Sequence, residues 1–165
     1  MLRLALLAAL FLFACTPVKD PEVAWARAKV DEDLCGTWKN DKGLVAITSA
    51  QDKANPRLLI WGSGLGPIAL KQIELADGQV LLLSKPEGDK KDLNFSLIEK
   101  TEDKNFILKE LTDDALKNAV ALGELEGYDK KSGLPLTDKN LAYLNRLASQ
   151  QPAAWKCVQI YVREK

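Results

Sequence analysis

The chain is expected to fold as a mainly β domain of the α+β kind: an eight-stranded antiparallel barrel or strongly curved meander, with two helices before the last strand. Three features predict this. Between Leu34 and Leu111, short apolar segments are separated by turn residues, a spacing that suits an antiparallel meander better than βαβ units. After Leu111 the apolar residues recur at helical spacing. The last segment, Trp155 to Arg163, returns to alternation and reads as a strand.

In chain order, strands are expected at 34–40, 43–49, 57–62, 68–75, 79–84, 93–99 and 104–111. Asp77-Gly78 is the strongest turn signal, because a two-residue hairpin needs positive φ at both central positions and Asp-Gly adopts it at little cost. Asn40-Asp41-Lys42-Gly43 suits a slightly longer turn, with Gly43 left-handed. In 68–75 the apolar set switches from Ile68 and Leu70 to Ile73 and Leu75, which predicts a bulge near Lys71 or Gln72. The run Leu81-Leu82-Leu83 predicts a strand covered on both faces. In 93–99, Leu93, Phe95 and Leu97 share one face, and Asn94 and Ser96 the other.

Thr112 followed by Asp113 and Asp114 then opens a helix carrying Leu116, Ala119 and Val120, which Gly123 and Gly127 end. Thr137 and Asp138 open a second, with Leu141, Leu144, Leu147 and Ala148 on one face, and Pro152 closes it. In the final strand Val158, Ile160 and Val162 form the expected core face.

The 165 residues are 47% hydrophobic and 28% charged, the composition of one globular domain. Lysine plus arginine equals aspartate plus glutamate at 23 each, so no net field draws the chain to nucleic acid. There is no histidine, which removes Ser-His-Asp and Cys-His relays and the commonest transition-metal ligand. No catalytic residue, metal site or cofactor is expected: Asp113-Asp114 suits a helix start, and Asp31-Glu32-Asp33 a solvated segment. Trp61 to Pro67 is glycine-rich but lacks the Lys-Ser/Thr and helix start of a phosphate loop, so it reads as a loop between strands. Such a loop could gate a ligand at a barrel mouth.

The first fourteen residues form a separate unit. Arg3 is their only charge and Leu4 to Ala14 an unbroken apolar run, too short to span a bilayer and arranged like a secretory signal. Leu12-Phe13-Ala14-Cys15 resembles the lipobox of bacterial lipoproteins. The resemblance implies a signal peptide at 1–14 and lipid on Cys15. With more than one acyl chain such an anchor is stable. Thr16 is not the aspartate that favours inner-membrane retention, so the implied location is the cell envelope at the outer membrane, with the domain in the periplasm. Residues 15–33, with two prolines and mixed charges, read as a lipidated tether in which Val23 to Val30 can form a helical turn or two with Trp25 resting on the domain, leaving 34–165 as the domain. Export leaves Cys35 and Cys157 as an even pair in an oxidising compartment, where a disulfide stapling the first strand to the last is expected.

Cys35-Gly36-Thr37-Trp38 is similar to the Gly-x-Trp start of lipocalins, whose tryptophan plugs the closed end of an eight-stranded barrel. The mature chain also resembles small bacterial lipoproteins of unassigned activity that begin with Leu-x-Gly-Thr-Trp, here Leu34 to Trp38, and end in helix, helix and strand. These resemblances imply a non-catalytic binding module taking a small hydrophobic ligand, with Trp38 and Trp61 as candidate pocket residues. The alternative is an interaction lipoprotein with a filled barrel, docking another envelope protein.

Overall fold

The computed structural model describes residues 16–62, 66–89 and 92–164. The leader 1–14, the lipid acceptor Cys15, and Ser63 to Leu65 of the glycine-rich segment lie outside the described residues.

The strands are β1 Thr16–Lys19, β2 Gly36–Asn40, β3 Gly43–Ser49, β4 Leu58–Trp61, β5 Ile68–Glu74, β6 Val80–Pro86, β7 Asn94–Lys100, β8 Phe106–Leu111, β9 Leu134–Pro135 and β10 Trp155–Arg163. The helices are α1 Pro21–Arg27, α2 Asp113–Ala121 and α3 Asp138–Gln150. Strands β2 to β8 form an antiparallel meander, and β10 pairs with both β8 and β2. The result is a closed eight-stranded antiparallel barrel. Closure leaves no free edge among these strands to recruit another chain.

All eight expected barrel strands form. The turn at Asp77-Gly78 is one residue longer than expected: Leu75 and Gln79 close it, and Gly78 takes a φ of 74°. A three-residue loop ending in a left-handed residue is the next most common hairpin solution. The two helices also form, and their threonine caps act as read. Thr112 Oγ1 accepts from the Ala115 amide at 3.2 Å, and Thr137 Oγ1 from the Asn140 amide at 3.2 Å. No described helix is long and apolar enough to cross a membrane.

Two cores result. The inner one lines the barrel with Leu34, Trp38, Val45, Ile47, Leu58, Leu70, Leu82, Ile98, Phe106 and Tyr161. The outer, larger one lies between one wall of the barrel and a layer of helices, where Leu81, Leu83, Phe95 and Leu97 meet Trp25, Leu116, Leu141, Leu144 and Leu147. The middle residue of the Leu81-Leu82-Leu83 run therefore points into the barrel and its neighbours point out, so this strand is covered on both faces.

The structure corrects four expectations: the bulge in β5, the core face of the last strand, the tether and the disulfide. The first is the bulge in β5, which is absent: Ile68 to Glu74 pairs with Pro86 to Val80 without a break. Apolar residues occupy both faces because both are buried, Leu70 inside the barrel and Ala69 and Ile73 in the outer layer. The irregularity lies in β10 instead, between Cys157 and Gln159. An extra residue reverses the faces of a strand. Trp155 therefore enters the outer core, Tyr161 enters the barrel, and Ile160 and Val162, expected in the core, are exposed.

The third correction concerns the tether at 15–33, whose described part is folded. Strand β1 pairs with β7 and β9, and Val18, Ala24, Trp25 and Ala28 are buried. Gly133 permits this crossing, since a Cβ there would sit 2.1 Å from the Pro17 carbonyl oxygen. The fourth is the Cys35–Cys157 disulfide, which is not formed; both cysteines are free. Val162 faces Lys39 and Arg163 faces Trp38, so Cys35 and Cys157 belong to opposite ends of the barrel. At about 3.3 Å per residue along the ladder they are upwards of about 20 Å apart, while a disulfide needs Cα atoms within about 7 Å.

Candidate functional site

Strand alternation places Trp38, Ile47, Ile60, Leu70, Leu82, Ser96, Phe106 and Tyr161 on the inward face of the barrel. One end is closed by a 3₁₀ turn, Glu32–Leu34, folded under the strands. The Trp38 indole donates to the Leu34 carbonyl at 2.8 Å, so the ring and the turn hold each other in place. Trp38 meets Phe106 edge-on at 4.7 Å, and Phe106 stacks on Tyr161 at 4.5 Å. Offset and edge-on aromatic contacts of this kind add about 0.5–1.5 kcal/mol each beyond the area they bury. Trp38 is thus buried at this end of the barrel, held by the turn and by Phe106.

Above this aromatic floor the interior is not filled. A cavity of about 80 Å³ remains, walled by Leu34, Ile47, Ile60, Ile68, Leu70, Leu82, Phe106, Leu108 and Tyr161. Its polar lining comes from two adjacent strands: Ser84 and Lys85 on β6, and Asn94 and Ser96 on β7. Ser84 and Asn94 are paired across the ladder, near the end away from Trp38. One water needs roughly 10–15 Å³ on the same measure. The space can thus take a slender apolar group with a small polar end.

Sequence reasoning located these polar residues but not their role. The alternation of 93–99 separates Asn94 and Ser96 from Leu93, Phe95 and Leu97, and solvent is the usual destination of the polar face. Here the apolar face belongs to the outer core and the polar face to the cavity. The signal was present, but its reading depends on knowing that helices cover the outside.

Trp61, the other candidate pocket residue, is not at the cavity. It points outward from β4, is 44% exposed, and its indole donates to Thr48 Oγ1 at 3.0 Å. It belongs to an apolar strip with Leu44, Ile160 and Val162 on the wall that no helix covers. Leu44 and Val162 flank Lys39 in one row across β3, β2 and β10.

Outside the closed end, Asp33, Trp38, Lys100, Lys104, Asn105 and Arg163 line a cleft of about 260 Å³. Its charges are largely engaged. Arg163 donates to the Cys35 carbonyl at 2.8 Å and lies over the Trp38 ring at 5.1 Å, while Lys100 pairs with Asp31 at 2.7 Å. Burial acts to raise the Asp31 carboxyl, but hydrogen bonds from Lys100, the Asp33 amide and Gln72 outweigh it and hold the group below its ordinary range. The Cys35 thiol is pushed up by burial and by Glu32, which disfavours the reactive thiolate. Glu110, on the inward-facing set of β8 but outside the cavity lining, is also raised, first by burial and then by Asp113, against Lys156.

Among the described residues no group of three or more cysteines, aspartates or glutamates could hold a metal ion. The chain matches no protein-family model, no curated protein and no solved structure in the comparisons made.

Proposed function

We propose that this protein is a bacterial envelope lipoprotein, non-catalytic, that binds a small hydrophobic ligand inside its barrel and is held to the membrane by lipid on Cys15. The observation that carries the binding role is the cavity: about 80 Å³ of apolar space above an aromatic floor, with Ser84, Asn94 and Ser96 at one side. A largely apolar pocket with a few convergent polar groups is the common form of a ligand site. A slim aliphatic chain with a small polar end suits it best.

The anchor reading rests on the residues Leu12 to Cys15 and on the apolar run before them. The fold changes its consequence. Thr16, next to the lipid acceptor, is already buried in β1. The acyl chains would therefore leave directly from the folded domain, and the barrel would sit at the bilayer surface.

A test of the binding role follows aromatic emission while dodecanoic acid is added to wild-type protein and to Leu108→Trp, which puts an indole into the cavity. Wild type should show a saturable change and the variant none. Absence of a saturable change for fatty acids of every length would overturn the reading. The anchor is tested by intact mass of protein extracted from native membranes, where Cys15→Ser should lack the added acyl mass.

One observation favours a second reading, an interaction lipoprotein that docks another envelope protein. The strip of Leu44, Trp61, Ile160 and Val162 leaves four large apolar side chains on one wall, each at least 44% exposed. A stoichiometric partner lost by crosslinking in Trp61→Ser would favour that reading over the cavity.

A further inference from the structure

We infer that the crevice between α1 and the outer face of β5–β6 is a binding site for a phosphate group, with Lys71 and Lys85 as its two ammonium ligands and Trp25 as its floor. Lys85 also borders the barrel cavity, but the assignment does not rest on the ligand proposed there.

Lys71 is on the outward face of β5, beneath α1, with only 7% of its surface exposed. A lysine so deeply buried is rare unless it is paired. Among the described residues its one hydrogen-bond acceptor is the Trp25 carbonyl, 3.3 Å from Nζ, although an ammonium has three donors. Lys85, on the neighbouring strand, converges on the same place. The two Nζ atoms lie 5.0 Å and 4.4 Å from the centroid of the one Trp25 ring.

Contact with the ring face attracts an ammonium but does not neutralise it. No carboxylate among the described residues forms an ion pair with either lysine. At this corner Glu87 and Asp52 are both held by Arg57, whose own charge adds to the field at Lys71. Glu22, on the rim of the crevice, forms no ion pair with either lysine. The burden on Lys71 shows in its titration, which is lowered by burial first, then by Lys85 and Arg57.

Two like charges brought together at a partly desolvated site, without a carboxylate between them, are balanced best by a bound anion. The crevice has room for one. It offers about 530 Å³ and is lined by Trp25, Asn55, Pro56, Lys71 and Lys85 among others. Asn55 accepts from the Trp25 indole at 3.3 Å through Oδ1, which leaves its amide as a further donor at the rim. Lysines bind phosphate as point charges, and two of them suit a group able to carry more than one negative charge.

The phosphate could be free or the headgroup of an anionic phospholipid, and two probes separate these sources. The full chain in non-ionic detergent is titrated calorimetrically with sodium phosphate. It is titrated separately with glycerophosphoglycerol, a phospholipid headgroup without acyl chains, and both are compared with sodium chloride at equal ionic strength. Saturable binding of at least one probe is expected, weakened at least tenfold by Lys85→Gln and by Lys71→Met, and unchanged by Lys117→Gln on α2. Binding of phosphate assigns the site to a free anion, and binding of the headgroup alone assigns it to lipid. Lys85→Gln leaves the buried position intact and so keeps the test decisive should Lys71→Met fail to fold. No saturable binding of either probe, or binding that Lys85→Gln does not weaken, would overturn the assignment.

Discussion

The two walls of the barrel are built on the same alternating strands but solve different problems. On the covered wall, β5 to β7, the outward residues Ala69, Ile73, Leu81, Leu83, Phe95 and Leu97 are apolar and lie beneath the helices, with Lys71 and Lys85 as the charged exceptions against Trp25. On the bare wall, β10 and β2 to β4, the outward set mixes Thr37, Lys39 and Thr48 with the exposed Leu44, Trp61, Ile160 and Val162. The comparison teaches that an apolar stripe on a barrel strand does not identify its interior. Where a second layer exists the larger core is outside, and inward positions are left free for polar residues such as Ser84, Asn94 and Ser96.

If the covered wall carries most of the stability, truncating it should cost most. Phe95, 1% exposed between β7 and the helices, is the sharpest place to break it. Phe95→Ala is expected to lower the free energy of unfolding by about 3–5 kcal/mol, the usual cost of deleting a buried aromatic ring. The measurement is urea unfolding followed by far-ultraviolet circular dichroism. A loss below about 1 kcal/mol would show that the helices do not share the barrel's cooperative unit.

A smaller effect is expected at the closed end, where Asp31 and Lys100 join the turn before β2 to the end of β7. The folded-state Asp31 carboxyl is lowered from its ordinary value of about 3.9. Its contribution is thus fully present above that value and is lost as pH falls through the lower folded one. Partly exposed pairs of this kind contribute about 0.2–1 kcal/mol. Asp31→Asn should therefore flatten the pH dependence of the urea midpoint below about pH 4 and leave its dependence above pH 6 unchanged. Parallel curves for the two proteins would remove the latch.

The smallest effect should come from the bare wall. Trp61→Ser combined with Val162→Thr is expected to change stability by no more than about 0.5 kcal/mol, since neither side chain is part of a core. A larger loss would mean that the strip is buried against something in the native protein, and the contrast between the walls would then vanish.

Much of the architecture could be read along the chain because it depends on local chemistry. The turn glycines, the Thr112 and Thr137 caps, the change of period after Leu111 and the alternation within strands are each encoded within a few residues. Trp38 was legible for the same reason, as one residue in a short motif at the start of a strand. The path of 16–28 was legible only in part: a helical turn with Trp25 against the domain could be read, but two prolines and mixed charge gave no sign of the strand before it, which pairs with β7 and β9.

What the sequence by itself determined was the number and order of the barrel strands and the two helices before the last of them, because hydrogen-bonded periodicity and turn chemistry act over short distances. What only the tertiary structure decided was which face of each strand is inside. A single extra residue at Val158 exchanges the faces of β10, and a layer of helices turns the outside of β5 to β7 into the larger core. Both depend on contacts between residues far apart in the chain. The same contacts place Cys35 and Cys157 at opposite ends and gather Lys71, Lys85 and Trp25 into one crevice.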